Sequence, residues 1–181
     1  CTEEIPFVYR THDNPDPEKV ESLLTLLHNQ GVKIQKAKEE ITPKEIQQII
    51  ESIEGLPNEA MISRLVLRSM KQAKYTTECS GHFGLAARYY THFTSPIRRY
   101  PDLQIHRIIK EAIHGELKEK RQAHYEQLLP QVAVQTSALE RRAEEAERET
   151  EKLKKCEYMA KHIGETFEGV ISGVSNWGFY V

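Results

Sequence analysis

Residues 81–107 read GHFGLAARYYTHFTSPIRRYPDLQIHR, and this stretch decides how the rest of the chain is read. Near its middle, Thr94, Ser95 and Pro96 join a hydroxyl able to cap a helical turn to a proline that loses nothing at a first helical position. Arg98 and Arg99 follow at once, so two guanidinium groups leave a segment whose first backbone amides are unpaired donors that favour anions. Pro101 interrupts any single helix through the region and predicts a second start. From 101 to 114, Ile105, Ile108, Ile109, Ala112 and Ile113 recur at the i, i+3, i+4, i+7, i+8 spacing of one helix face, and Gly115 supplies a stop. The pattern predicts a phosphate-binding turn carried by a rigid amphipathic helix. The ordinary alternative is an arginine pair that meets surface carboxylates, as most surface charges do.

A chain of 181 residues with 39% hydrophobic content can bury a core and hold one domain plus part of another. Its 25 basic and 27 acidic residues leave a net charge of −2, so a nucleic-acid partner would need a local site rather than a global positive field. Asp13, Asp16 and Asp102 are the only aspartates. Cys1, Cys79 and Cys156 are odd in number and lack a Cys-x-x-Cys pair, which speaks against a zinc knuckle or a disulfide framework and fits a reducing cytoplasm. No run approaches the roughly 18 apolar residues of a membrane span.

Outward from the central stretch, Ile5, Phe7 and Tyr9 alternate as a short strand would. Asp16 and Pro17 open a helix burying Val20, Leu23, Leu24 and Leu27, with Gly31 as its stop. Thr42 and Glu45 stand at capping-box spacing before Ile46, Ile49, Ile50 and Ile53, and a third helix after Pro57 and Asn58 buries Met61, Ile62, Leu65, Val66 and Met70. Residues 74–77 and 82–86 read as extended segments meeting at a turn. His82, Phe83, Tyr89, Tyr90, His92 and Phe93 come close to the arginines in sequence, although a histidine without paired ligand spacing more often has a structural role. After Gly115 a charged helix should break near Pro130, and Ser137 with Glu140 should cap a long helix over about 138–162. Leu139, Ala143, Ala146 and Leu153 give that helix a thin apolar stripe, while its charges read first as a solvated face. From Gly164 strand-like alternation returns through Phe167, Gly169 and Ile171, a turn at Ser175-Asn176, then Trp177, Phe179 and Val181.

HFTSPIRRYPDL followed by HR, with HFGLA ten residues earlier, resembles the signature of the ribonuclease II/ribonuclease R family, and the likeness extends to YRTHDNPDPEK, LRSMKQAKY and the Glu-rich helix. It implies an α+β fold, predominantly helical: residues 1–162 as the C-terminal part of an RNB catalytic domain, then 164–181 as the first strands of an OB-fold β-barrel. It implies a processive 3′-to-5′ hydrolytic exoribonuclease that converts single-stranded RNA to nucleoside 5′-monophosphates. Arg98 would be the catalytic residue on the scissile phosphate. Ser95, Arg99, Tyr100, His92 and Glu147 would bind substrate, Glu147 at the end of the RNA strand. Trp177 and Tyr180 match the base-stacking aromatics of the barrel, though in isolation they could pack on the protein instead. The family holds Mg2+ with four clustered aspartates, which three scattered ones cannot reproduce, so the ligands are expected outside this chain and the fragment alone is expected to be inactive. A monomer with single-stranded RNA as partner, no membrane and a cytoplasmic location completes the expectation; a catalytically inactive RNA-binding homologue is the alternative.

Overall fold

The computed structural model describes residues 5–29, 31, 41–56, 58–171, 173–175 and 177–181. In chain order the elements are β1 (Tyr9–Thr11), α1 (Pro17–Asn29), α2 (Pro43–Ile53), α3 (Glu59–Ser69), β2 (Lys74–Thr76), α4 (Tyr100–Ile113), α5 (Glu119–Met159), β3 (Gly173–Ser175) and β4 (Gly178–Tyr180). The fold is therefore mostly helical with little sheet. Two compact units divide it: the described part of residues 1–13 with 72–154, and residues 14–71 with 155–181. Among the described residues no helix is long and apolar enough to cross a membrane.

The second unit contains the helices whose caps and periodicity are plain in the sequence. Asp16 accepts the Glu18 amide at 3.1 Å at the start of α1, which buries Val20, Leu23 and Leu27; Gly31, two positions beyond its last residue, has a φ of +77°. The capping box of α2 forms in full: the Glu45 amide donates to the Thr42 hydroxyl at 3.3 Å and the Thr42 amide to the Glu45 carboxylate at 2.7 Å. In α3, Ile62 and Val66 are completely buried and Ser69 joins them, while Met61, Leu65 and Met70 are only half-buried. Pro57 and Asn176, which the sequence reading used as turn markers, lie outside the described residues. The alternation through Phe167 and Ile171 forms no strand; both are exposed, and the sheet of this unit is the antiparallel pair β3–β4, with Gly173 opposite Tyr180.

The first unit is built around a small core of Val8, Tyr75, Ile105, Ile108, Tyr125, Leu129 and Ala133, against which Ile5, Phe7, Ile109, Leu117 and Leu128 pack. β1 starts at Tyr9, later than the alternation of Ile5 and Phe7 suggests, and the completely buried residue of this segment is Val8. β1 pairs antiparallel with β2, Arg10 opposite Tyr75, across more than sixty residues of intervening chain. Two three-residue strands cannot stand alone. Here α5 supports the pair, because the Ser137 hydroxyl accepts the Tyr75 amide at 2.9 Å and donates to the Tyr75 carbonyl at 3.5 Å.

Residues 82–86 do not form the expected second extended segment. Phe83–Leu85 is a 3-10 turn, and the chain around it runs beside β1: His12 donates its amide to the Gly81 carbonyl at 3.0 Å, Phe83 its amide to His12 at 2.9 Å, and Arg10 its amide to Tyr90 at 2.9 Å. Gly84 explains the motif. Its amide donates to His12 Nδ1 at 3.1 Å, and a Cβ there would lie 2.9 Å from the same nitrogen, so only glycine admits this approach.

α4 begins at Tyr100 with Pro101 in its first turn and buries Ile105 and Ile108, whereas Ile113, placed on the same face by spacing, is 75% exposed because the helix runs past the core at its end. A second departure is larger. α5 runs unbroken through Pro130 from Glu119 to Met159. Proline inside a helix loses one backbone hydrogen bond and crowds the preceding turn, about 3 kcal/mol. Tyr125, Leu129, Val132 and Ala133, buried on both sides of Pro130, offset that cost at roughly 1.5–3 kcal/mol per large apolar side chain. Ser137 and Glu140 are consequently mid-helix, and both are used in tertiary bonds rather than in a cap. The α4–α5 connection is braced by Arg121, which forks onto Glu111 at 2.9 and 2.7 Å and donates to the Tyr125 hydroxyl at 3.1 Å. This hydrogen-bonded guanidinium holds the Glu111 carboxyl below the usual carboxylate range.

Candidate nucleic-acid interface

Ser95 to Arg99 form a hydrogen-bonded turn and not the start of a helix: the Ser95 carbonyl accepts the amides of Arg98 at 3.3 Å and Arg99 at 3.0 Å. One carboxylate oxygen ties this turn to α4. Asp102 Oδ2 accepts the Ser95 amide at 2.9 Å and, from Arg99, Nε at 3.1 Å and Nη2 at 2.8 Å. The Asp102 side chain is completely buried, and that of Arg99 is 20% exposed. Arg98, by contrast, is exposed and makes no ion pair with any described residue.

A groove of about 380 Å3 opens in front of the turn, between Arg98, Arg99, Tyr100 and Pro101 on one wall and Thr136, Leu139, Glu140, Ala143, Glu144 and Glu147 of α5 on the other, with Tyr75 between them. The α5 residues recur every three or four positions, so they form one helix face. Glu140 is engaged by Arg10 at 2.5 Å, and Glu144 accepts from the Gln72 side chain at 3.0 Å. The basic wall thus offers one uncommitted guanidinium, and the acidic wall disfavours a polyanion's phosphates on its own side.

Beneath the groove the Tyr75 hydroxyl lies 2.8 Å from His92 Nδ1, and the Arg10 guanidinium covers the Tyr75 ring at 4.6 Å. Burial, followed by Glu140, raises the Tyr75 phenol further above its ordinary value of 10.0. Burial, followed by Arg99 and then Arg10, lowers His92 below 6.5. Both groups are neutral near pH 7, and the pair serves as an uncharged floor for the groove.

Of the residues singled out from the sequence, Arg98, Arg99, Tyr100 and Glu147 therefore meet in one groove, Ser95 braces its turn, and His92 supports it through Tyr75. Trp177 and Tyr180 belong to the other unit, on the β3–β4 connection and on β4, with 98% and 66% of their surface exposed. Sequence reasoning missed Tyr75, Arg10, Asp102, Glu140 and Glu144. The spacing of 136, 140, 143 and 147 was available as a signal, yet the stripe read instead was Leu139, Ala143, Ala146 and Leu153; Leu139 and Leu153 are more than half exposed.

The aspartates do not fit a magnesium cage. Asp102 is bound to Arg99 and Ser95, Asp13 to Lys74 at 2.8 Å and Ser80 at 3.2 Å, and Asp16 caps α1. Among the described residues no three His, Cys, Asp or Glu side chains converge to hold a metal ion.

The RNB domain family matches residues 2–115, and the chain belongs to that family. Two relatives are similar to it along nearly its whole length: ribonuclease R 1 of Lactococcus lactis, 42% identical over 177 residues, and ribonuclease R of Aquifex aeolicus, 48% identical over 178 residues. These alignments cover 98% and 97% of the chain and 22% and 24% of the relatives, so the chain spans about a quarter of their length. The structure of Mycoplasma genitalium RNase R in complex with ribose-methylated single-stranded RNA superposes with a TM-score of 0.90 at 28% identity, covering 97% of this chain and 28% of that one.

Proposed function

We propose that this chain supplies the phosphate-holding side of a processive 3′-to-5′ exoribonuclease that hydrolyses single-stranded RNA to nucleoside 5′-monophosphates. The observation that carries the reading is the groove with Arg98 uncommitted while its neighbour Arg99 is held by Asp102. A guanidinium presents a planar fork that matches two phosphate oxygens, and it stabilises negative charge as it grows on phosphorus. Glu147 faces it across the groove as a carboxylate, a suitable acceptor for the hydroxyls of a terminal ribose. Tyr100, 47% exposed, offers an aromatic ring beside the phosphate position. Trp177 and Tyr180, exposed on the β3–β4 connection and on β4, would add base-stacking contacts as the start of an OB-fold RNA-binding domain. Magnesium, bound by aspartates outside this chain, would activate water; among the described residues no cluster of His, Cys, Asp or Glu is placed to hold that ion. The isolated 181-residue chain is accordingly inactive as a nuclease, and the complete polypeptide is cytoplasmic and monomeric.

The test is a timed digestion of 5′-labelled single-stranded RNA with magnesium by the complete polypeptide. Shortening from the 3′ end to a product of a few nucleotides supports the reading; intact RNA that still shifts on a gel would instead identify an inactive, RNA-binding member of the family. Arg98→Lys keeps the charge and loses the fork, so turnover should fall about a hundredfold to a thousandfold, the size of effect seen when one charge-stabilising contact is removed, roughly 2.7–4 kcal/mol. Unchanged turnover would remove Arg98 from the reaction.

A further inference from the structure

Resting on the reading above, we propose that Asp102 is a positioning residue that gives the two adjacent arginines different tasks, neutralising Arg99 as a brace and leaving Arg98 alone to hold the phosphate. The two side chains are chemically identical and both line the groove, so the sequence offers no reason for one to act and the other to abstain. The distinction arises at a single atom. Asp102 Oδ2 takes both Arg99 N–H groups and the Ser95 amide, whereas Asp102 Oδ1, also buried, has no hydrogen-bond partner among the described residues. All of the carboxylate's hydrogen bonding is therefore directed at the two ends of one turn.

Two consequences follow. The Arg99 charge is compensated at 2.8 Å by a carboxylate with no solvent exposure, which makes it a poor competitor for a phosphate. The Ser95 amide and the Arg99 guanidinium are fixed to the same point on the first turn of α4, so the backbone of Arg98, between them, has one orientation. Without the carboxylate, Arg99 would turn to the nearest anion. With RNA in the groove, that anion is the same phosphate or its neighbour, held by two forks in a geometry suited to neither.

This predicts tighter electrostatic binding together with poorer turnover. Binding of a labelled oligoadenylate to the complete polypeptide, with chelator present to stop cleavage, would be measured across a salt series. Each phosphate contact on a single strand steepens the plot of log affinity against log salt by about 0.7. Asp102→Asn should steepen it by about that amount while turnover with magnesium falls at least tenfold. Arg98→Ala should make the slope shallower by about 0.7, and Arg99→Gln should leave it unchanged, a comparison that holds even if Asp102→Asn does not fold. Equal slope losses for Arg98→Ala and Arg99→Gln would overturn the division of tasks. So would an Asp102→Asn protein with wild-type slope whose turnover and melting temperature merely drop together, since that is the mark of a structural ion pair. Absence of salt-dependent RNA binding by the wild type would overturn the proposed function itself, and this inference with it.

Discussion

The two compact units are held by bonds of different reach. In the unit of residues 14–71 with 155–181, the bonds that shape the helices are local: Glu18 with Asp16, Thr42 with Glu45, Gln47 with Glu51. In the unit that carries the groove, hydrogen bonds span 62, 83 and 130 residues: the Tyr75 amide to the Ser137 hydroxyl, the Thr91 hydroxyl to the Val8 carbonyl, and the Arg10 guanidinium to the Glu140 carboxylate. Local bonds define an element and leave its surroundings open. Long-range bonds decide which side chains from separate elements converge, and a binding groove consists of such convergence. The groove and its arginines accordingly lie in the unit with the long-range network.

Perturbations of the two kinds should separate in size. The largest belongs to the core beneath the long-range network: Leu129→Ala, at a position with no solvent exposure, should cost about 2–5 kcal/mol in urea unfolding. Next is Ser137→Ala, which leaves the buried Tyr75 amide without its acceptor and should cost about 1–3 kcal/mol on the same scale. In the locally bonded unit, Thr42→Ala removes the acceptor of one capping box and should cost about 0.5–2 kcal/mol, with the loss read from helix content by circular dichroism. A Thr42→Ala loss as large as that of Leu129→Ala would break the contrast between the units.

A subtler probe is pH. His92 has a folded value below 6.5, so the folded state binds its proton less readily than the unfolded chain does. The stability this contributes is complete above pH 6.5 and is lost as the pH falls from there through the folded value. Melting temperature should decline over that window, and His92→Phe should make the decline shallower. His82, lowered by burial, then by His12 and Arg10, would account for part of what remains. A decline unaffected by His92→Phe would show that the floor of the groove is not where the protons act.

Sequence alone determined the elements whose causes lie within one or two turns: α1 from its Asp16 cap and apolar period, α2 from Thr42 and Glu45, α4 from Pro101 and the spacing of Ile105 and Ile108. It also located the arginine turn. Tertiary structure alone decided that Pro130 lies within α5, since Tyr125, Leu129, Val132 and Ala133 bury on both sides of it. It decided that Ser137 and Glu140, spaced as a capping box, bond to Tyr75 and Arg10 instead. And it decided which arginine is uncommitted, because Asp102, which in sequence is one more acid in a helix's first turn, is completely buried and bound to Arg99. The physical reason is common to these cases. A cap or a helical face is settled by bonds among neighbours that the residue pattern records, whereas a buried charge or an interior proline is tolerated only through the summed packing of segments far apart in the chain.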